Sequence, residues 1–143
     1  MIRSYQSADY LEVLDLFLLN TPKYFAPEEQ KDLEEYLVKY VEHFYVFEKD
    51  SKILGVGGYN ILDEEGRVSW YFIHPDSQGQ GIGKALVQHS LESLKKEPGI
   101  ERIVVRTSQH AWRFFEKMGF ELYKKEKDFW APGFDLYQMK FNL

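Results

Sequence analysis

The chain has 143 residues, 44% of them hydrophobic, which is long enough for one domain spanning 1–143 with a substantial core. Its net charge of −5 argues against a general affinity for nucleic acid or an anionic membrane surface, both of which need Lys and Arg to neutralise them. The absence of Cys excludes disulfides, thiolate zinc sites and a cysteinyl acyl-enzyme intermediate.

Ile2 to Tyr5 reads as a short strand, followed by a helix that Ser7 can cap and whose Tyr10, Val13, Leu14, Phe17 and Leu18 recur at helical spacing. A loop with Pro22 follows. Pro27 suits the first turn of a second helix, Glu28 and Glu29 suit its N-terminus, and Leu33, Tyr36, Leu37, Tyr40 and Val41 form its buried stripe. Glu28, Glu29, Asp32, Glu34 and Glu35 read as the charged outer face of that helix, with attraction of an amine as the other use for them. Phe44–Glu48, Ile53–Leu62 and Arg67–Ile73 then read as strands of an antiparallel meander, separated by the turn-like Lys49-Asp50-Ser51-Lys52 and Asp63-Glu64-Glu65-Gly66.

The most informative stretch comes next. Gln78-Gly79-Gln80-Gly81-Ile82-Gly83-Lys84-Ala85 opens directly into an amphipathic run with Leu86, Val87, Ser90, Leu91 and Leu94 on one face. Glycines before a helix N-terminus expose backbone N–H groups to an anion, so this loop is expected to hold a pyrophosphate. A Walker-type loop is excluded, because it needs Gly where Gln78 stands and Ser or Thr where Ala85 stands. A dinucleotide fingerprint is excluded too, because its third glycine falls on Lys84 and no βαβ unit surrounds it. Downstream lie Pro98-Gly99, a strand over Arg102–Thr107, a helix over Ala111–Met118 ended by Gly119, and two strands near Glu121–Lys127 and Asp135–Phe141.

Gln-x-x-Gly-x-Gly after a strand ending Ile73-His74-Pro75 resembles the acetyl-coenzyme A loop of the GCN5-related N-acetyltransferase (GNAT) family. Ala111, Phe114, Phe115, Glu116, Lys117, Gly119 and Phe120 resemble that family's late helix-to-strand signature, and the resemblance covers nearly the whole chain. It implies an α/β (α+β) fold, a mixed central sheet in the order βααβββαβαββ with helices on both faces. It further implies an acetyl-coenzyme A-dependent N-acetyltransferase that moves an acetyl group to a primary amine of a small molecule or peptide. With no Cys, direct attack in a ternary complex is the simplest route.

The resemblance places the backbone of Phe72 and Ile73 beside the acetyl and pantetheine groups, where a free amide can act as oxyanion donor. It places Gln78, Gly79, Gln80, Gly81, Ile82, Gly83 and Lys84 around the pyrophosphate, with Lys84 either adding charge or standing as a solvated lysine. Many relatives carry Tyr at the position of Phe115 and use it as the general acid for the departing thiolate. Here that acid is missing. Ser108, where relatives often carry Asn, can still contact pantetheine or a water, and Tyr71 is the first alternative source of a proton. For a general base, Glu65 stands where some relatives place a catalytic glutamate, though a polar hairpin turn also explains it. His74 has a suitable intrinsic pKa but reads better as a surface residue at a strand end, and His43, His89 and His110 suggest nothing distinctive.

Tyr24, Phe25 and Trp130, with Tyr71, are expected to shape the acceptor end, because two aromatic segments flank the cleft: Pro22–Pro27 and Phe129-Trp130-Ala131-Pro132-Gly133-Phe134. The second of these is read as interrupting the last two strands. Loop packing and a homodimer contact through the terminal strands are the other uses for these rings. Two further functions stay open: a non-catalytic acyl-coenzyme A-binding module, prompted by Phe115, and a structural interaction domain using the aromatic tail. No signal-like apolar start and no run of about 20 apolar residues is present, so a cytoplasmic protein without membrane partners is expected. The scattered histidines suggest no metal.

Overall fold

The computed structural model describes residues 1–143 and runs β1 (Ile2–Ser4), α1 (Tyr10–Leu18), α2 (Gln30–Glu35), β2 (His43–Lys49), β3 (Lys52–Leu62), β4 (Glu65–Ile73), α3 (Ile82–Lys96), β5 (Arg102–Thr107), α4 (Trp112–Lys117), β6 (Phe120–Ala131) and β7 (Phe134–Phe141). This is the βααβββαβαββ order expected from the sequence. One seven-stranded sheet, β1-β2-β3-β4-β5-β7-β6, is antiparallel throughout except where β4 meets β5. Helices cover both faces. Val13, Leu16, Phe17, Leu33 and Leu37 pack with Phe44, Val46, Val56 and Phe72 on one side, while Val87, Leu91 and Leu94 pack with Val68, Ile103, Val105 and Met139 on the other.

Two irregularities of β4 make the site. The ladder between β4 and β5 runs from Glu65–Arg102 to Val68–Val105 and stops. Beyond that point β5 stays with β7 as far as Thr107–Tyr137, while β4 stays with β3 as far as Ile73–Gly55, so the two parallel strands part and leave a wedge between them. Within the same stretch, Ser69 pairs with Gly58 and Phe72 with Val56, so Trp70 and Tyr71 together oppose Gly57. This is a β-bulge, and Trp70 takes φ 57° to make it. A left-handed aromatic residue costs on the order of 1–2 kcal/mol, so the surrounding packing must hold it there. The extra residue flips the alternation of the strand: Val68 packs under α3, whereas Trp70 and Phe72 pack under α1 and Tyr71 takes the α3 side. Gly57 is required opposite the bulge, because a Cβ there would sit inside the Tyr71 ring.

Three expectations are corrected at this level. Ser7 does not cap the first helix; the Asp9 carboxylate accepts the Gln6 N–H at 2.9 Å and pairs with Arg3, which also holds Glu48. The second helix widens into a π-turn over Tyr36–Tyr40, which rotates Tyr40 out of the buried stripe and leaves it 56% exposed. The aromatic segment near Trp130 does not separate the last strands. Phe129 and Trp130 belong to β6, in a wide bulge where Lys127–Trp130 oppose Asp135 alone, and only Pro132-Gly133 remains for the turn between Ala131 and Phe134. Gly133 at φ 83° and Pro132 before it suit the two central positions of a type II turn.

Candidate functional site

The loop after β4 is built by short-range bonds. Pro75–Ser77 form one tight turn, and His74 Nδ1 accepts the Asp76 N–H at 3.1 Å, which ties the His74 ring to the turn. Gly79 and Gly81 follow at φ 81° and 82°, with nothing within 4 Å of where a Cβ would project. Gly81 is the N-cap of α3, and the first-turn N–H groups of Ile82, Gly83 and Lys84 find no acceptor in the chain. A cradle of this kind, free of side chains at a 15-residue helix N-terminus, suits a phosphate group.

A cavity of about 440 Å³ extends from this loop along the open edge of β4. It is lined by Gln78, Gly79, Gly81, Ile82, Gly83, Lys84, Phe72, Ile73 and Phe115 of the residues expected at the cofactor; Gln80 does not line it, and Ser108 lines the neighbouring cavity instead. Because the His74 N–H donates to Leu54 O on β3 at 2.7 Å, strand alternation turns the preceding amide, that of Ile73, to the edge that β5 has left. Asn20, His110, Arg113 and Phe114 also line this cavity and were not singled out from the sequence as cofactor contacts.

A second cavity of about 360 Å³ fills the wedge between Val68–Tyr71 of β4 and Val104–Ser108 at the end of β5. Tyr24, Phe25, Tyr71, Ala111 and Phe115 line both cavities, so the two meet there. The Tyr24 hydroxyl donates to Gln78 Oε1 at 3.2 Å, Phe25 stacks on Trp70 with centroids 6.1 Å apart, and the Trp130 indole donates to Thr107 O at 3.1 Å. The expected acceptor residues Tyr24, Phe25, Tyr71 and Trp130 are therefore brought to one cavity.

The candidate acids and bases fare differently. Tyr71 keeps its ring at the junction but sends its hydroxyl beneath α3, where it donates to the fully buried Ser90 Oγ at 2.6 Å. Burial there pushes the phenol up from its ordinary pKa. Its hydroxyl is thus removed from the cleft. Ser108 is buried at the wedge; its Oγ accepts the His110 N–H at 3.2 Å and keeps its own proton free to donate. Phe115 is buried edge-on to Tyr71, with centroids 6.0 Å apart. Glu65 is corrected: it lines neither cavity and sits at the closed end of β4, held by Arg67 at 2.7 Å and Arg102 at 2.8 Å. Burial alone would raise its pKa, but the hydrogen bonds from Arg102 and Arg67 outweigh that and hold it below the usual carboxylate range.

Glu29 is the carboxylate that does reach the second cavity, and reading it as part of an outer helix face is overturned. It is 6% exposed, and its Oε2 accepts the Ala26 N–H at 2.8 Å. Burial, with repulsion from Asp32 and Glu28 and against the Ala26 hydrogen bond, pushes its carboxyl up to about 7. The signal was present as Ala26-Pro27-Glu28-Glu29, an N-cap followed by a first-turn proline and a third-position glutamate that turns back on the cap. No group of three or more His, Asp or Glu side chains is placed to hold a metal ion, and no helix is long and apolar enough to cross a membrane.

Comparison with known proteins places these features in a family. The family described as Acetyltransferase (GNAT) family matches residues 10–120. A 51-residue segment is 45% identical to a peptidyl-lysine N-acetyltransferase of Salmonella typhimurium, covering 36% of this chain and only 33% of that protein. Over a longer span, 126 residues are 27% identical to N-alpha-acetyltransferase 30 of Schizosaccharomyces pombe, covering 76% of this chain and 83% of that one. Among solved structures, an aminoglycoside 6'-N-acetyltransferase complexed with coenzyme A superposes with a TM-score of 0.76 at 13% identity, over 98% of this chain and 95% of that one.

Proposed function

The chain belongs to the acetyltransferase (GNAT) family, and from that premise we propose that it is an acetyl-coenzyme A-dependent N-acetyltransferase acting on a primary amine of a small molecule or peptide. One observation carries the reading: two cavities, one beginning at the α3 N-terminus and one lined by aromatic rings, meet at Tyr71 and Phe115 where β4 and β5 part. The first has the open glycine positions and unused amides that a pyrophosphate needs, with Lys84 and Arg113 beside them. Acetyl-coenzyme A supplies the thioester whose acetyl group is moved. The Ile73 amide is the candidate donor to the oxyanion that develops on the thioester carbonyl. With no Cys in the chain, attack by the amine on that carbonyl in a ternary complex is the route the residues favour. Ser108, whose hydroxyl proton is uncommitted, is the candidate side chain at the acetyl end.

Phe115 favours a second reading, that of an acyl-coenzyme A-binding module without turnover, since a ring without a hydroxyl stands where many relatives keep an acid. A thiol-release screen with acetyl-coenzyme A over amino acids, polyamines, aminoglycosides and peptide N-termini tests both. Release with at least one amine supports the transferase; calorimetric binding of acetyl-coenzyme A without release from any amine supports the module.

A further inference from the structure

Glu29 is the one carboxylate among the side chains lining the acceptor cavity. Only one of its oxygens is used, by the Ala26 N–H, and Oε1 has no partner in the chain. The rest of the charge there is of the opposite sign. A chain with net charge −5 lines this cavity with two guanidiniums, Arg67 and Arg106. Arg67 is already paired with Glu65 at 2.7 Å. Arg106 has no carboxylate within salt-bridge distance; its guanidinium lies over Phe129 and Trp130, 4.9 and 5.7 Å from the ring centroids, and the residue is exposed. Much of the remaining wall is aromatic.

These features discriminate among amines by charge. A polycation would find a single carboxylate and be repelled by Arg106. A simple apolar amine satisfies Glu29 and the rings but makes no use of the free guanidinium. A molecule with one ammonium, one carboxylate and an apolar body satisfies all three, and a cavity of about 360 Å³ is near the small end of ligand sites. From this geometry we infer that the acceptor is a small zwitterionic amine of the apolar amino acid kind, its ammonium received by Glu29 and its carboxylate by Arg106.

This inference rests on the transferase reading and adds a proton path to it. Glu29 takes one proton from the ammonium, which frees the nitrogen lone pair to form the C–N bond. The C–S bond breaks with its electron pair going to sulfur, the second proton lost by nitrogen ends on the thiol, and Glu29 returns its own proton to solvent. A carboxyl pushed up to about 7, by burial first, suits that exchange near neutral pH. Glu28 and Asp32 of its own helical segment face it with like charge, the phenols of Tyr24, Tyr36 and Tyr40 share its cavity, and Arg67 and Arg106 are the cations there.

The test is steady-state thiol release at saturating acetyl-coenzyme A with L-leucine, L-phenylalanine, phenethylamine and spermidine. The amino acids are expected to be turned over best. Glu29→Gln keeps an oxygen to accept the Ala26 N–H, so it should fold and bind coenzyme A as wild type does in calorimetry, while kcat/KM falls by about 10²–10⁴-fold and the acid limb of the pH profile disappears. Arg106→Gln should raise KM for the amino acids by about 10–100-fold and leave phenethylamine unchanged. Spermidine preferred over the amino acids, or Glu29→Gln with the wild-type pH profile, overturns this inference and leaves the transferase reading standing. No release from any of these four overturns this inference, and no release in the wider screen with aminoglycosides and peptide N-termini overturns the transferase reading as well.

Discussion

The Tyr71 hydroxyl donates to Ser90 Oγ at 2.6 Å, beneath α3 and away from the cavity that the Tyr71 ring lines. That bond turns a candidate acid into a packing residue. Tyr71→Phe is expected to keep kcat within about threefold of wild type while lowering stability by about 1–2 kcal/mol in urea denaturation, because Ser90 loses its buried partner. A large fall in kcat with unchanged coenzyme A affinity would return the acid to Tyr71.

Gly81 and Gly83 are expected to fail for different reasons when substituted. Gly81 has open space around it but sits at φ 82°, so Gly81→Ala should weaken acetyl-coenzyme A binding through a strained loop alone, at about 1–2 kcal/mol of conformational cost. At Gly83 a Cβ would come within 3.1 Å of the Phe114 ring, and Gly83→Glu adds a carboxylate to the proposed phosphate cradle as well. Calorimetry should show a large loss for Gly81→Glu and Gly83→Glu. Wild-type affinity in both would remove the pyrophosphate from this loop.

The glycine loop and the start of α3 were legible because their determinants are contiguous: Gly79, Gly81 and Gly83 announce themselves, and the apolar run behind them fixes the helix start. Glu65 misled because its partner Arg102 lies on a strand that is distant in sequence and joins β4 only in the parallel ladder. Trp70 at φ 57° could not be foreseen, since nothing local favours a left-handed tryptophan, yet that bulge decides which face receives Tyr71. Glu29 was masked by acidic neighbours. Glu28, Asp32, Glu34 and Glu35 suggest a solvated face, and only the turn back onto Ala26 draws Glu29 inward.

Glu29 should also leave a mark on stability against pH. Its folded-state value of about 7 lies above the 4.5 of the free side chain, so between those values the folded chain binds more protons than the unfolded one. Its contribution is therefore fully present below about pH 4.5 and is lost as pH rises through about 7. Thermal scans from pH 5 to 8 should show a decline in wild type that Glu29→Gln flattens. Parallel curves for the two proteins would mean that Glu29 ionises as an ordinary exposed carboxylate.

Trp130 is anchored to β5 by its bond to Thr107 O and also supports the Arg106 guanidinium. Trp130→Ala removes both and opens the wall of the second cavity, without touching the glycine loop. The acceptor KM should rise about tenfold or more, while acetyl-coenzyme A affinity stays near wild type. Light scattering on the same variant reads whether the β6 edge also joins two copies. A change in thermal stability alone, with kinetics and mass unaltered, would make Trp130 a packing residue.

Phe115 offers the sharpest separation of catalyst from binding module. It is 4% exposed, lines both cavities, and touches Tyr71, Phe114 and Phe120 edge-on, so its ring position is fixed on several sides. Phe115→Tyr adds one hydroxyl to a ring already seated at the junction. If the thiolate leaves without help in wild type, the new phenol should hold or raise kcat by up to about 10²-fold with the acceptor KM little changed, as expected for an acid that acts only in the transition state. A wild type that releases no thiol and a Phe115→Tyr variant that does would identify a binding module lacking only its acid. A variant slower than wild type, with coenzyme A still bound, would instead mean that the apolar junction itself is required and that another group already protonates the leaving sulfur.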